Sequence, residues 1–186
     1  MIKHSAIDTT SIIVSLAVDQ DLFDNLSCIN QSMITCIEIQ SSDSVLLKQI
    51  IHDFPTLCIG ASLITTVQHL EECHHIGINF MSSPGFLASI AHTASIYDIP
   101  YIPGVATLSE AMQICALGYT KARLCPSSVS LCKMLNTYLP QLCLYPSHVS
   151  WHERDQYLTL ANVNTISIAS SENTQWKTLI EKNFIL

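Results

Sequence analysis

The chain alternates short apolar runs with longer amphipathic runs, and this alternation constrains the fold more than any other feature. The short runs have the length of strands, and the longer runs have the apolar spacing of helices. A strand, a helix and a further strand in this order form a βαβ unit, in which the strands are parallel. The predicted strands lie at 12–18, 33–39, 57–62, 79–83, 100–103, 121–126, 142–145 and 164–168, and the predicted helices at 20–30, 45–53, 66–75, 86–97, 108–116, 129–138, 151–158 and 173–183.

The number of units selects between two parallel architectures. Eight strands close a parallel sheet into a barrel, whereas an open, doubly wound sheet usually stops at roughly five or six strands. We therefore predict an α/β fold, a (β/α)8 TIM barrel, formed by a single domain over residues 1–186. The composition agrees, because 48% hydrophobic and 12% charged residues are typical of a sheet buried on both faces.

Charge and hydropathy narrow the classes of partner. The formal net charge is −7, and Arg123 and Arg154 are the two arginines. Because nucleic-acid binding needs clustered cations, no nucleic-acid partner is expected. No apolar run approaches the ~18 residues of a membrane span, and the first one lacks the features of a signal peptide, so we expect no membrane association and a cytoplasmic location. The eight cysteines contain no CxxC pair and are expected to be reduced and buried.

Several motifs at the ends of predicted strands carry a family resemblance. They read Cys-Ile-Gly-Ala-Ser, Asn-Phe-Met-Ser-Ser-Pro-Gly, Ile-Pro-Tyr-Ile-Pro-Gly-Val-Ala-Thr-Leu-Ser-Glu and Arg-Leu-Cys-Pro, at 58–62, 79–85, 99–110 and 123–126. Their order and spacing resemble those of the KDPG/KHG aldolases, which act on 2-keto-3-deoxy-6-phosphogluconate and 4-hydroxy-2-oxoglutarate. The resemblance extends over about 12–168 and is strongest over 79–126.

The resemblance implies a homotrimeric barrel with class I aldolase activity, which acts on a small keto acid without a cofactor. In that family a lysine on the sixth strand forms a Schiff base with the keto acid, and this iminium stabilises the carbanion of C–C cleavage. A glutamate on the second strand moves protons through water. The reaction implied is the cleavage of 2-keto-3-deoxy-6-phosphogluconate to pyruvate and glyceraldehyde 3-phosphate, a lyase step of carbohydrate metabolism in the Entner–Doudoroff route.

Carried onto this chain residue by residue, the resemblance gives a mixed result. The family's glutamate corresponds to Glu38, but the Schiff-base lysine corresponds to Arg123, whose guanidinium stays protonated and cannot form a Schiff base. The family's phosphate loops are lost, since no glycine follows Gly118. The positions that correspond to the family's substrate-binding residues are Ser42, Leu63, Pro84, Ser147, His148 and Ser167.

We therefore expect a homologue that has lost the lyase reaction, with Glu38 and Arg123 pointing into the barrel as an ion pair. Two alternatives stay open. Lys121 lies two residues before Arg123 on the same strand face, so the chain is alternatively an active keto-acid lyase on a less charged substrate, with Lys121 or with Arg123 and Glu38 at its centre. In the other alternative, Glu38, Cys125 and His148 converge above the barrel as a zinc site with a metal-dependent activity.

Overall fold

Strands and helices alternate throughout the computed structural model, which describes residues 10–169, so the helix predicted at 173–183 lies outside the described residues. The strands are β1 Ile12–Leu16, β2 Cys36–Ile39, β3 Cys58–Ala61, β4 Phe80–Ser82, β5 Tyr101–Ile102, β6 Gly104–Val105, β7 Lys121–Leu124, β8 Cys143–Pro146 and β9 Ile166–Ala169. The helices are α1 Leu22–Asn30, α2 Ser44–Asp53, α3 Val67–His75, α4 Ala88–Ile96, α5 Leu108–Ala116, α6 Val129–Tyr138 and α7 Arg154–Leu158, the last preceded by a 3₁₀ turn at Trp151–Glu153.

All paired strands are parallel, and they form two arcs of one barrel. One arc has the order β5-β4-β3-β2-β1-β9 and the other β6-β7-β8. At one seam the strand predicted at 100–103 is followed directly after Pro103 by a further short strand, β6. Here β5 pairs with β4, β6 pairs with β7, and the Pro103 carbonyl accepts the Arg123 amide at 2.9 Å. At the other seam the Val149 amide donates to the Ser167 carbonyl at 3.0 Å. The predicted TIM barrel is confirmed.

Strand alternation divides the side chains between two environments. On β2, Ile37 and Ile39 are buried in the core between the strands and the helices, while Cys36 and Glu38 point to the interior of the barrel, hereafter the lumen. The amino-terminal half of the lumen is apolar and the layer above it is polar. The apolar layer consists of Ile13, Cys36, Cys58, Phe80, Ile102 and Tyr145.

Four of the described helices, α2, α3, α5 and α6, begin at side-chain caps. At α5 the Thr107 hydroxyl accepts the Glu110 amide at 3.2 Å, and the Glu110 carboxylate accepts the Thr107 amide at 3.0 Å, so a capping box is present. Thr66 caps α3 and Ser128 caps α6 in a similar way. Between residues 10 and 169, no helix combines the length and apolar character needed to cross a membrane.

Candidate functional site

The candidate site is a small cleft at the carboxyl ends of the strands, the end at which TIM barrels carry their active sites. Its volume is about 70 Å³, whereas pockets that hold drug-sized ligands measure roughly 300–1,000 Å³. This mouth cleft therefore has room for a few waters or a very small ligand. It is lined by Gln40, Ser62, Leu63, Ser83, Pro84, Arg123, Cys125 and His148.

Arg123 and Glu38 form a buried ion pair beneath the mouth cleft, as predicted from strand alternation. Nη1 of Arg123 donates to Oε1 of Glu38 and, at 3.0 Å, to the Ser82 hydroxyl. The Ser82 hydroxyl donates to the same carboxylate at 2.6 Å, and the Ser15 hydroxyl donates to its other oxygen at 3.4 Å. Glu38 is 1% exposed and Arg123 is 7% exposed. Both charges are therefore compensated within the lumen.

The electrostatics keep both partners ionised. Burial opposes ionisation of Glu38, but the charge and hydrogen bonds of Arg123, helped by Ser82 and Ser15, hold the pKa of the carboxyl below its ordinary value. Burial likewise opposes the charge on Arg123, and the neighbouring Glu38 outweighs it and raises the pKa of the guanidinium. A carboxylate held in this way is a weak proton acceptor, and a guanidinium held in this way cannot become a neutral nucleophile.

Lys121, the alternative nucleophile, lies away from the mouth cleft. It stands at the start of β7, about 6.6 Å of strand rise below Arg123. There it lines a second cavity of about 310 Å³ at the amino-terminal end of the barrel, together with Asp98, Pro100 and Tyr119. The structure therefore does not bring Lys121 to the residues that correspond to the family's substrate-binding positions.

The zinc site of the metal-dependent alternative is not assembled among the described residues. Across residues 10–169, no three or more His, Cys, Asp or Glu side chains are grouped so that they could hold a metal ion. Cys125 and His148 line the mouth cleft, but both oxygens of Glu38 are engaged below it by Arg123, Ser82 and Ser15. This alternative is not supported because Arg123, the expected ion-pair partner of Glu38, occupies the carboxylate and repels a divalent ion.

The serines among the predicted binding positions are not in the mouth cleft. Ser42 is half-buried in the loop before α2. The Ser147 hydroxyl donates to the Leu124 carbonyl at 2.6 Å, so it supports the loop after β8. The Ser167 hydroxyl is buried and has no hydrogen-bond partner.

Gln40 is a lining residue that the sequence analysis missed. Its amide donates to the Ser15 hydroxyl at 3.0 Å, next to the ion pair. It follows Glu38 by two residues, directly after the end of β2, so the period of strand side chains would have found it.

Leu63 and His148 line the mouth cleft with a backbone conformation that favours glycine. Their φ angles are 62° and 56°, in the left-handed region. His148 is exposed at the rim, where partial burial and then the Arg123 charge lower the pKa of its imidazole, with Glu38 opposing. Two larger side chains thus narrow a site that glycine would leave open.

The double substitution Leu63→Gly and His148→Gly is expected to widen the mouth cleft without loss of stability. Release of left-handed strain is worth roughly 1–2 kcal/mol per residue, and the added backbone entropy of glycine cancels about 0.5–1 kcal/mol of it. Denaturant unfolding should give a free energy of unfolding equal to that of the wild type or higher by up to about 3 kcal/mol. Asp98→Gly is the matched control, because Asp98 has φ 52° at the opposite end of the barrel. A lower free energy of unfolding in the double variant, without a similar decrease in Asp98→Gly, would mean that Leu63 and His148 stabilise the fold by packing.

Comparison with known proteins agrees with the family resemblance of the sequence motifs. Residues 6–183 match the family described as KDPG and KHG aldolase. The chain is 29% identical over 122 residues to 2-dehydro-3-deoxy-phosphogluconate aldolase of Pseudoalteromonas atlantica, covering 63% of this chain and 57% of that protein. It is 35% identical over 66 residues to the protein of the same name in Dickeya dadantii, covering 36% of this chain and 31% of that protein. The matches thus span about half, or less, of these relatives' length.

Solved structures show the same fold. KDPG aldolase from Legionella pneumophila, with pyruvate captured as a covalent carbinolamine intermediate, has a TM-score of 0.81 at 22% identity, covering 95% of this chain and 94% of that one. The aldolase of Zymomonas mobilis with 3-phosphoglycerate has a TM-score of 0.77 at 17% identity, covering 87% and 81%. A protein cage designed by fusing symmetric oligomeric domains has a TM-score of 0.76 at 17% identity, covering 86% and 63%.

Proposed function

Because the chain belongs to the KDPG and KHG aldolase family, we propose that it is a member that does not cleave keto sugar acids and that binds a small keto acid reversibly. The observation that carries the proposal is the Glu38–Arg123 ion pair in the lumen. It supports the proposal because Arg123, a permanent cation, stands at the position that the resemblance assigns to the family's neutral amine, and because Arg123 engages the carboxylate assigned to proton transfer.

The size and lining of the mouth cleft support a small ligand. A cavity of about 70 Å³ is too small for a phosphorylated six-carbon sugar acid and suits a molecule such as pyruvate. Arg123 and His148 line it, and Gln40 adds an amide. These donors suit a carboxylate, and none of them forms a covalent bond with a keto group.

We also propose that the protein assembles as a homotrimer, as the family resemblance implies. The designed cage supports an oligomer, since the fold recurs there in a protein made by fusing symmetric oligomeric domains. Exposed apolar side chains on α4 and α5, such as Ile96 and Met112, are candidates for burial in such an assembly.

The wild-type protein is expected to bind pyruvate but to release none from 2-keto-3-deoxy-6-phosphogluconate. Binding is measured by saturation transfer from the protein to the pyruvate methyl protons, and cleavage by pyruvate release coupled to lactate dehydrogenase. Arg123→Lys is expected to stay at least roughly 100-fold below an active family enzyme, because a correctly placed nucleophile still needs a positioned substrate and the loops that hold the substrate's anionic groups are lost.

Two outcomes would contradict this proposal. Turnover by the wild type above the rate in buffer would show that cleavage is retained by another route. Full cleavage activity of Arg123→Lys would show that the substrate-binding residues are intact. The arginine at position 123 would then account alone for the loss of cleavage. Arg123→Met is the matched control, since it removes the guanidinium without adding an amine.

A further inference from the structure

Two cysteines in the apolar half of the lumen are placed opposite each other. Cys36 on β2 and Cys58 on β3 are register partners on neighbouring parallel strands. Their Sγ atoms are 3.6 Å apart, and both side chains are buried. The proposed binding of a keto acid uses neither thiol, since the mouth cleft lies at the carboxyl end of the strands.

We propose that Cys36 and Cys58 form a redox-active dithiol site that hydrogen peroxide converts to a disulfide between β2 and β3. Neighbouring strands lie about 4.7–4.9 Å apart, within the range of roughly 4.4–6.8 Å between the Cα atoms of bonded cysteines. The two side chains point to the same face, so the sulfurs need to approach by only about 1.5 Å to reach bonding distance. Rotation of the two side chains supplies this movement.

The two thiols have different roles. Cys58 is 9% exposed and Cys36 is fully buried. The Cys36 thiol hydrogen-bonds to the Cys58 sulfur, which lowers the pKa of Cys58, although burial opposes this. The same hydrogen bond, together with burial, raises the pKa of Cys36. Cys58 is therefore the thiol that reacts first, and Cys36 is the thiol that resolves the intermediate.

The reaction balances with hydrogen peroxide as the oxidant. The Cys58 thiolate attacks one peroxide oxygen and breaks the O–O bond, which gives a sulfenic acid and a hydroxide that takes up the thiol proton as water. The Cys36 sulfur then attacks the sulfenic sulfur, forms the S–S bond and releases a second water. Two thiols and one peroxide thus yield one disulfide and two waters.

Other buried cysteines provide the contrast. Cys73 and Cys132 are fully buried on α3 and α6, and burial raises the pKa of each thiol to about 11. They share the burial of Cys36 but lack the lowered pKa of Cys58. We therefore expect peroxide to oxidise the β2–β3 pair before these two.

The test uses the full, reduced protein treated with equimolar hydrogen peroxide. Free thiols are alkylated, and the protein is digested without reduction and mapped by mass spectrometry. The expected product is the peptide of Cys36 joined to that of Cys58 with the loss of two hydrogens. Cys36→Ser keeps a hydrogen-bond donor beside Cys58 but cannot form the disulfide, so it is expected to stop at the sulfenic acid of Cys58, giving at least about fivefold more dimedone adduct there than wild type. Cys132→Ala is the control and should form the disulfide like wild type.

The proposal is overturned if Cys36 and Cys58 are both recovered alkylated while the exposed Cys28 is oxidised. It is also overturned if Cys58 is joined to any other cysteine or proceeds to a sulfinic acid without a link. The peptide map of the wild-type protein decides the question even if Cys36→Ser does not fold.

Discussion

Arg123→Met is expected to lower the free energy of unfolding by about 3–5 kcal/mol at pH 7, the usual cost of removing one partner of a buried ion pair. The substitution leaves Glu38 buried without its counter-charge, and the hydroxyls of Ser15 and Ser82 compensate it only in part. Denaturant unfolding measures the loss. The matched control is the double variant Glu38→Gln and Arg123→Met, which removes both charges and is expected to recover most of the stability.

The stability difference between the wild type and Arg123→Met is expected to depend on pH in a defined direction. In the wild type the folded pKa of Glu38 is lowered, so its contribution to stability is present above the unfolded pKa and is lost as pH falls through the folded pKa. In Arg123→Met, Glu38 is buried without the cation, which raises its pKa in the folded state. The variant is therefore most stable below the unfolded-state pKa of Glu38, and it loses stability as pH rises through the folded-state pKa. The gap between the two proteins should shrink from pH 7 to pH 5. A gap below about 1 kcal/mol at pH 7 would contradict a buried, coupled pair.

Gly104→Ala is expected to cost about 3 kcal/mol of stability, at the upper end of the usual cost of overpacking a core. A Cβ at Gly104 on β6 would overlap the Ser83 carbonyl oxygen and the backbone of Pro84 and Gly85. Backbone atoms cannot rotate away, so the loop after β4 must move. That loop lines the mouth cleft, and the close approach explains why the Ser-Pro-Gly and Pro-Gly motifs occur together.

Gly85→Ala is the control for this prediction. A Cβ at Gly85 meets no heavy atom within 4 Å, so its unfolding free energy should stay within about 1 kcal/mol of wild type. Thermal or denaturant unfolding of the two alanine variants measures the difference. Equal stabilities would show that β6 and the loop after β4 are not in contact in solution.

Much of the fold follows from local patterns in the sequence. The strand period of two residues predicts that Glu38 and Arg123 face the lumen while Ile37 and Ile39 face the helices, and the structure confirms both. The short strand β6 was not predicted, since the fifth strand was expected to end at Pro103. Pro103 has no amide hydrogen to pair, and it separates β5 from β6.

The finer features of the site could not be predicted, because they depend on contacts between distant segments. Leu63 and His148 adopt left-handed backbone angles that their residue types disfavour, so no local propensity indicates them. The proximity of Cys36 and Cys58 depends on the register of β2 against β3, which their spacing along the chain does not fix.

The most direct test of the central claim is reductive trapping of pyruvate on the wild-type protein. The protein is incubated with pyruvate and reduced with borohydride, and its mass is then measured intact and by peptide. We expect an unchanged mass, because the residue at the centre of the lumen is a paired guanidinium that cannot form an iminium. A stable pyruvate adduct, located at Lys121 or at any other lysine, would contradict the account.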